Sequence, residues 1–262
     1  MRKSILITGA GTGIGRHSAI ELATRGHHVY ATTANQEQAD ELNDYGATHQ
    51  LQLESFKLDV TNEDDRLKIA SMEIDVLLNN AGVGYSGSLA EISIDLIREN
   101  FEVNVFAAIR LSQIALAGMI KRRRGTVMFV SSIAGRWAFP FMGAYCMSKH
   151  AIEAAAESLR GEMDALGAGI QVCLIEPGPY HTGFNQQIMG NKFSWMGEDS
   201  YFIDQIDKLK ATDEASMQRM ETEDTSTIVE KIVTAAEAKR PDLRYFAPDW
   251  LLPGVKEHEA AK

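Results

Sequence analysis

The sequence is short of cysteine, proline and positive charge. Among 262 residues there are 2 Cys, 6 Pro and 26 Lys+Arg against 36 Asp+Glu, which gives a net charge of −10. Two cysteines, Cys146 and Cys173, cannot build the disulfide framework of a small secreted domain and are typical of a reducing compartment. The negative net charge disfavours nucleic acid and anionic membranes as partners, because the overall field repels polyanions.

Long apolar runs are also scarce. None in the sequence approaches the ~18–20 residues expected of a membrane span, and Met1–Ser4 leads straight into an apolar strand without a signal region. We expect a cytoplasmic protein without a membrane span. The one basic run, Lys121–Arg124, ends a helical pattern, which favours cations at the negative end of the helix dipole over a binding patch. The sequence offers no candidate metal site.

Short apolar runs alternate with amphipathic helical patterns along the chain. The strand-like runs are Ile5–Thr8, Val29–Thr32, Glu54–Leu58, Ile74–Asn79, Thr126–Ser131, Ile170–Glu176 and Leu243–Phe246. The clearest helical stretches are Ile14–Arg25, Asp95–Arg122 and Ala144–Leu166. We therefore predict a single α/β domain over residues 1–262, with a doubly wound (Rossmann-type), mostly parallel seven-stranded sheet covered by helices on both faces.

One stretch, residues 183–222, breaks the alternation. It carries aromatic and methionine side chains, such as Phe184, Trp195 and Met217, among polar residues. A segment of this length between two core elements is usually a lid or a binding loop. The alternative is a helical hairpin packed on the body without a ligand role.

A glycine-rich turn follows the first strand. Gly9, Gly11, Gly13 and Gly15 stand between the strand and the first helical pattern, with spacing G-x-x-x-G-x-G. Glycines let the backbone approach a pyrophosphate, and the helix N-terminus binds the anion. We expect a dinucleotide here; the alternative is a merely tight turn. The candidate contacts in and after the turn are Gly9, Thr12, Gly13, Ile14, Gly15 and Arg16.

Further candidates lie where the next strands end, at the sheet edge where ligands bind. Asp59 and Val60 follow the third strand, with Asp59 within reach of an adenine amino group or, alternatively, capping the next helix. Asn80, Ala81 and Gly82 follow the fourth strand.

The end of the second strand bears on the cofactor. It reads Ala31–Asn35, with no acid before Glu37 to bind a ribose 2′-hydroxyl and no basic clamp for a 2′-phosphate. Thr12, Arg16 and Thr33 are candidates to hold a phosphate. The absence of a repelling acid favours NADP(H), with NAD(H) still possible.

Ser132, Tyr145 and Lys149 form the candidate catalytic set. Tyr145 and Lys149 are four residues apart in a helical stretch and so lie on one face. A nearby ammonium favours the phenolate and pulls the tyrosine pKa from ~10 towards neutrality. Ser132 ends the fifth strand, where its hydroxyl can stabilise negative charge on a substrate oxygen.

Together these motifs resemble the short-chain dehydrogenase/reductase family over at least residues 5–182. They are Thr8-Gly9-x-x-x-Gly13-Ile14-Gly15, Asn79-Asn80-Ala81-Gly82, Asn104, Ser132, Tyr145-x-x-x-Lys149 and Pro177-Gly178. The resemblance implies a hydride-transferring oxidoreductase in which Tyr145 is the acid/base and Ser132 orients the carbonyl. Lys149 would bind the nicotinamide ribose and lower the tyrosine pKa. It also implies a relay water held by Asn104 and cofactor contacts at Pro177, Gly178 and Thr182.

Within the family the chain is most similar to the 17β-hydroxysteroid and retinol dehydrogenase-like group, through motifs such as Tyr145-Cys146-x-Ser148-Lys149. That group usually has arginine where Ala34 stands, and Thr61–Glu73 is shorter than usual, so we expect a shortened helix there. The resemblance further implies a homodimer or homotetramer through Asp95–Arg122 and Ala144–Leu166.

The expected substrate is a hydrophobic carbonyl compound or secondary alcohol, steroid-like or smaller. Its predicted wall is apolar and adaptable. The candidate wall residues are Val83, Ser132, Trp137, Phe139, Met142 and Tyr180. The rival of another class is a non-catalytic dinucleotide-binding regulator of the same fold.

Overall fold

The computed structural model describes residues 1–261 and has a seven-stranded sheet at its centre. The strand order is β3-β2-β1-β4-β5-β6-β7, and every pairing is parallel. The strands are β1 (Ser4–Ile7), β2 (His28–Thr33), β3 (Leu53–Lys57), β4 (Val76–Asn79), β5 (Gly125–Val130), β6 (Ile170–Pro177) and β7 (Arg244–Ala247). The predicted doubly wound sheet and all seven strand-like runs are confirmed, with ends shifted by at most two residues.

Helices cover both faces, as parallel crossovers require. They are α1 (Gly13–Thr24), α2 (Gln36–Thr48), α3 (Glu63–Leu67), α4 (Ile94–Phe101), α5 (Ala108–Arg122), α6 (Gly143–Leu166), α7 (Phe184–Asn191), α8 (Ile206–Met220), α9 (Ser226–Glu237) and α10 (Leu252–Ala260). Short 3₁₀ turns lie at Ile133–Gly135, Lys192–Ser194, Ile203–Gln205 and Asp249–Leu251. The expected shortening between β3 and β4 is present, because α3 has only five residues.

The apolar strands bury side chains on both faces of the sheet, which gives two cores. One core includes Ile5 and Val29 and packs against α1 and α9; the other includes Leu6 and Leu77 and packs against α5 and α6. The continuous rather than alternating apolar pattern of the strands has this cause.

Helices α4 and α5 are joined without a break by a π-helical turn, Glu102–Ala107. Within the described residues this run, Ile94–Arg122, is long and apolar enough to cross a membrane by length and composition, which the sequence reading did not recognise. However, 56% of its most apolar window is buried inside the protein, as in a core helix. The basic residues at its end serve local contacts: Arg122 donates to the carbonyl of Ile74 (2.8 Å), and Arg124 pairs with Glu73 (3.0 Å).

The segment 183–222 is largely helical and is closed at its base. The main chain joins its two ends, since His181 N donates to Thr222 O and Thr222 N donates to Pro179 O, both at 2.9 Å. Its first half packs on the body through Ile188, whereas α8 buries none of its side chains. Buried Lys192 forms an ion pair with Asp213 of α8 and so ties the two halves together.

Candidate active site

A cleft of about 680 Å³ opens at the carboxyl edge of the sheet, over β1 and β4, where the strand order reverses. This reversal is where doubly wound sheets bind ligands. Most of the sequence-predicted site residues line it. They are Gly9, Thr12, Gly13, Ile14, Gly15, Asp59, Val60, Asn80, Ala81, Gly82, Val83, Ser132, Tyr145, Lys149, Pro177, Gly178, Tyr180 and Thr182.

The glycine turn has the shape that a dinucleotide pyrophosphate requires. Gly9 and Gly13 have positive φ, and a Cβ on Gly15 would lie 2.4 Å from Asn80 Nδ2. Helix α1 begins here without a side-chain cap, so the N–H groups of its first turn remain available to an anion. The residues present therefore fit a nicotinamide dinucleotide.

Asn80 holds the turn against the end of β4. Its Nδ2 donates to the carbonyls of Thr8 (2.9 Å) and Gly9 (3.0 Å). In return, Thr8 Oγ1 accepts from the main-chain N–H groups of Asn80 and Ala81. The Asn80 side chain thus shapes the cofactor site, and its amide group donates to main-chain carbonyls of the protein.

The end of β2 differs from the prediction in its details. Thr33 is buried and donates to the carbonyl of Asn35 (2.6 Å), and Arg16 lies 3.8 Å from Glu41; neither lines the cleft. A buried, internally bonded hydroxyl does not face a phosphate in this arrangement. Ala34 and Gln38 line the cleft instead.

Asp59 lines the cleft, and its alternative role as a helix cap is not observed. Its carboxylate accepts from Thr61 N (2.9 Å) and Thr61 Oγ1 (2.7 Å). Helix α3 is capped by Asn62, whose Oδ1 accepts from Asp65 N. Asp59 is therefore held in a local turn beside the cleft.

Asn104 lies on the π-helical turn and is 3% exposed. Its Oδ1 accepts from Val83 N (2.9 Å), while Nδ2 donates to Val83 O (2.8 Å) and Ser148 Oγ (2.9 Å). The side chain is thus bound to protein groups and borders Gly82, where a Cβ would lie 3.3 Å from Oδ1. A relay water at Asn104 remains a prediction.

Ser132, Tyr145 and Lys149 converge at the inner end of the cleft. Ser132 follows β5, and its Oγ accepts from Ala134 N (3.1 Å), which fixes the 3₁₀ turn behind it. Ser132 lies close enough to Tyr145 to favour its phenolate, and Lys149 Nζ lies 5.6 Å from the Tyr145 ring centre. Lys149 Nζ donates to the carbonyl of Val130 at 2.8 Å.

The ionisation of these groups departs from the prediction. Burial raises the pKa of Tyr145, because a phenolate there loses its water, and the hydrogen bond from Ser132 opposes this only in part. The expected fall of the tyrosine pKa towards neutrality is therefore wrong for the protein without ligands. Burial lowers the pKa of Lys149 to about 8, and the charge of Glu153 opposes the fall.

The predicted substrate wall is only partly in the cleft. Val83 and Tyr180 line it, although the Tyr180 hydroxyl bonds Thr227 (2.7 Å). Trp137 instead stacks on Phe139 and on His258 of the last helix. These contacts turn the Trp137 ring towards α10, so it does not line the cleft.

Phe139 and Met142 pack on the cluster of Tyr145, Cys146 and Ile188 behind the cleft and do not line it. Sequence reasoning did not assign several other lining residues. They are Gly11, Gln38, Val103, Ser131, Asn185 and Gln187. The sequence could have indicated Gln38, because it stands three residues after the helix cap Asn35 and so lies on the first turn of α2.

The fold and cleft define a doubly wound oxidoreductase built to hold a nicotinamide dinucleotide. The chain belongs to the short-chain dehydrogenase family, whose model matches residues 3–192. It is therefore an NAD(P)-dependent short-chain dehydrogenase/reductase, as the sequence motifs predicted.

Two curated relatives and one solved structure illustrate the likeness. An uncharacterized oxidoreductase of Bacillus subtilis, YusZ, is 36% identical over 208 residues, covering 77% of this chain and 73% of that protein. Human 17-beta-hydroxysteroid dehydrogenase type 1 is 31% identical over 265 residues, covering 96% and 79%. A short-chain dehydrogenase/reductase from Burkholderia phymatum in complex with NAD superposes with a TM-score of 0.84 at 22% identity, covering 99% of this chain and 94% of that chain.

Proposed function

We propose that the protein interconverts a hydrophobic ketone and its secondary alcohol, with a modest preference for NADP(H) over NAD(H). The observation that carries the proposal is the convergence of Ser132, Tyr145 and Lys149 at one end of a cleft whose other end is the glycine turn. Hydride and proton transfer need both ends at once: a held dinucleotide and a proton donor beside the reacting carbonyl.

In reduction, Tyr145 Oη donates its proton to the substrate oxygen as negative charge develops there. Ser132 Oγ donates a hydrogen bond to the same oxygen and stabilises that charge. Lys149 supports the phenolate that remains and binds the ribose of the cofactor. A bound nicotinamide supplies or accepts the hydride.

The protonation of Tyr145 in the free protein matches the role of proton donor in reduction. Because burial raises the pKa of Tyr145, the phenol is protonated near neutral pH and can act as an acid. Oxidation needs the phenolate, so it needs additional positive charge close to Tyr145.

The NADP(H) preference rests on what faces the cleft after β2. Ala34 and Gln38 are uncharged, so no carboxylate repels a 2′-phosphate there. A strong preference would require a cation in the same place, and Arg16 lies near Glu41 instead. We therefore expect discrimination between the cofactors to be small.

The substrate class follows from the lining at the catalytic end. Val83 and Phe184 are apolar, and the Phe184 ring stands edge-on to Tyr145 with 6.0 Å between ring centres. No lysine or arginine other than Lys149 lines the described cleft, which disfavours phosphorylated or CoA-bound substrates. Both a steroid-like ketone and a smaller aromatic or aliphatic ketone match this chemistry.

A panel of carbonyl compounds tests the proposal. Steroid, aromatic and aliphatic ketones are incubated with the protein and either NADPH or NADH, and the absorbance of the reduced nicotinamide is followed. We expect turnover with hydrophobic ketones and none with phosphorylated sugars. Turnover confined to charged or phosphorylated compounds would contradict the proposed substrate class.

Residues 183–222 are proposed as a lid that closes over both ligands. Its inner half carries Phe184 into the cleft, and Asn191 Nδ2 holds the body through the carbonyl of Gly84 at 2.7 Å. No side chain of α8 is fully buried, and the ion pair between buried Lys192 and Asp213 is one link that holds this helix to the rest of the segment. Closure of such a segment excludes water from the reaction.

A homodimer or homotetramer in the cytoplasm is also proposed. Phe106, beside α5, and Met147, on α6, are 55% and 39% exposed, and both helices belong to the predicted interface. The two free, buried cysteines are compatible with a reducing compartment. Light scattering that gave a 28.9 kDa particle at micromolar concentration would contradict the assembly.

A further inference from the structure

A buried cluster of charged side chains lies behind the catalytic helix, outside the cleft. Glu176 is fully buried and Glu153 is 7% exposed. Arg136 and Arg244 lie between them and the protein surface, where they also pair with other carboxylates. Burying a carboxylate costs folding free energy unless the charge is paired, so a functional role for these two groups is worth considering.

Glu153 stands one helical turn after Lys149 and two turns after Tyr145, on the same face of α6. Arg244 clamps its carboxylate, with Nε and Nη2 at 3.2 and 3.1 Å from Oε2. Burial raises the pKa of the Glu153 carboxyl group, and Ser131, the residue before Ser132, opposes the rise together with Arg244.

Gly135 shows how tightly this region is packed. A Cβ there would lie 2.5 Å from Ser131 Oγ and 3.1 Å from both Glu153 Cγ and the carbonyl oxygen of Lys149. The 3₁₀ turn that carries Ser132 is therefore pressed against α6 at the level of Lys149 and Glu153. The position of Glu153 is thereby coupled to the catalytic end of the cleft.

Lys149 has little other compensation for its burial. Its Nζ donates to the carbonyl of Val130, which supplies a dipole and no charge. Burial lowers the pKa of Lys149 to about 8, and the charge that works against this fall is that of Glu153. Without that charge the ammonium would lose its proton at a lower pH.

We propose that Glu153 is a positioning residue: clamped by Arg244 one turn behind Lys149, its carboxylate supplies the negative charge that keeps the buried ammonium ionised. This inference rests on the proposed function for the role of Lys149 in turnover, but its electrostatic part concerns the protein alone. The Glu153 side chain touches neither the cleft nor the reacting atoms.

Other ionisable groups face this region from each packed element. On α6 they are Tyr145, Cys146, His150 and Glu157; from the turn after β5 comes Arg136; from β6, Glu176; from β7, Arg244; and from α10, His258 and Glu259.

Burial and the charge of Glu153 raise the pKa of Glu176 to about 7, so Glu176 changes charge within the physiological range. Glu153 is the carboxylate closer to Lys149 along α6, and the paired Arg244 opposes the rise in pKa that burial causes there.

The test is a pH titration of Lys149 in protein carrying ¹³C at the lysine ε-carbons. The Lys149 signal is assigned by its loss in Lys149→Arg, and native protein should titrate with a midpoint near 8. In Glu153→Gln the midpoint should fall by on the order of one pH unit, the scale of a lost nearby charge. Glu153→Asp should restore most of the native value.

Glu157→Gln is the matched control, because Glu157 also pairs with Arg244 but is half exposed and one turn further from Lys149. It should leave the Lys149 midpoint unchanged. The inference is overturned if Glu153→Gln titrates like native protein, or if Glu157→Gln moves the midpoint as far.

Turnover adds a second reading that separates this inference from the proposed function. In ketone reduction, the high-pH limb of kcat should move to lower pH in Glu153→Gln, since the ammonium is lost earlier. If Tyr145→Phe is inactive while the Glu153→Gln titration and pH profile match native protein, this inference alone fails. If Tyr145→Phe remains active, the proposed function fails, whatever the titration shows.

Discussion

Asn104 binds both polar groups of the Val83 main chain, accepting from its N–H at 2.9 Å and donating to its C=O at 2.8 Å. An ordinary α-helical turn would place residue 104 differently, so the π-helical insertion at Glu102–Ala107 is what brings the amide to Val83. The third contact, from Nδ2 to Ser148 Oγ at 2.9 Å, joins the same amide to α6. One side chain thus connects the strand-end loop of β4 to the helix of Tyr145 and Lys149.

Replacing Asn104 should therefore cost stability as well as activity. Asn104→Ala leaves the N–H and C=O of half-buried Val83 without their side-chain partners, and each loss costs up to about 1–3 kcal/mol. We expect the free energy of unfolding in urea to fall by roughly 2–4 kcal/mol. Asn104→Asp keeps the acceptor for Val83 N–H but repels Val83 C=O, and it should be destabilised too. An unchanged urea midpoint in Asn104→Ala would contradict this reading of the contacts.

The cofactor preference should respond to the residue at position 34. Ala34 lines the cleft after β2, so Ala34→Arg places a cation beside a ribose 2′-phosphate and Ala34→Asp places an anion there. The first change should raise the ratio of kcat/KM for NADPH over NADH, and the second should reverse it. Native protein should favour NADPH less than tenfold; a native preference of more than tenfold for NADH contradicts the proposal.

Amide hydrogen exchange tests the lid. Exchange over residues 192–220 should be fast in the free protein, because α8 buries no side chain, and should slow with NADPH and an active ketone. Asp213→Asn weakens the pairing with buried Lys192 and should speed exchange in α8. Equal exchange with and without ligands would instead identify the segment as a static helical hairpin.

The buried Glu176 should make stability depend on pH. Its pKa is raised from 4.5 to about 7, so the folded protein holds this proton more tightly than the unfolded chain. The resulting stabilisation is fully present below about 4.5 and is lost as the pH rises through 7, by an amount on the order of 2–3 kcal/mol. Glu176→Gln removes this titration.

The free energy of unfolding, measured at pH 5 and pH 8, should fall less between the two values in Glu176→Gln than in native protein. Glu157→Gln provides the control on the same network and should keep the native dependence. Parallel pH dependences in native protein and Glu176→Gln would exclude Glu176 as the source.

Much of this architecture was predictable because local patterns decide it. Continuous apolar runs such as Ile5–Ile7 are typical of strands covered on both faces, and the glycine turn after β1 permits a close backbone approach. Tyr145 and Lys149 share a helical face by spacing alone.

The misses depend on side-chain contacts and burial that appear only once the chain is folded. The sequence predicts Trp137 as a substrate contact, but its ring stacks on His258 of the last helix and does not line the cleft. Thr33 stands at the expected strand end, but its hydroxyl donates a hydrogen bond to the main-chain carbonyl of Asn35. The raised pKa of Tyr145 reflects burial, which no residue spacing reports.

The most direct test of the account is the turnover of Tyr145→Phe. The change removes the phenolic hydroxyl and keeps the ring that packs near Phe184, so folding and cofactor affinity should survive. With an active ketone and NADPH, kcat should fall by roughly 10²–10⁴-fold, the scale of a lost acid/base. Ser132→Ala should lower kcat with little change in cofactor affinity, and Lys149→Ala should impair both. If folded Tyr145→Phe keeps more than about a tenth of the native kcat, far above that scale, Tyr145 is not the proton donor and the account is wrong.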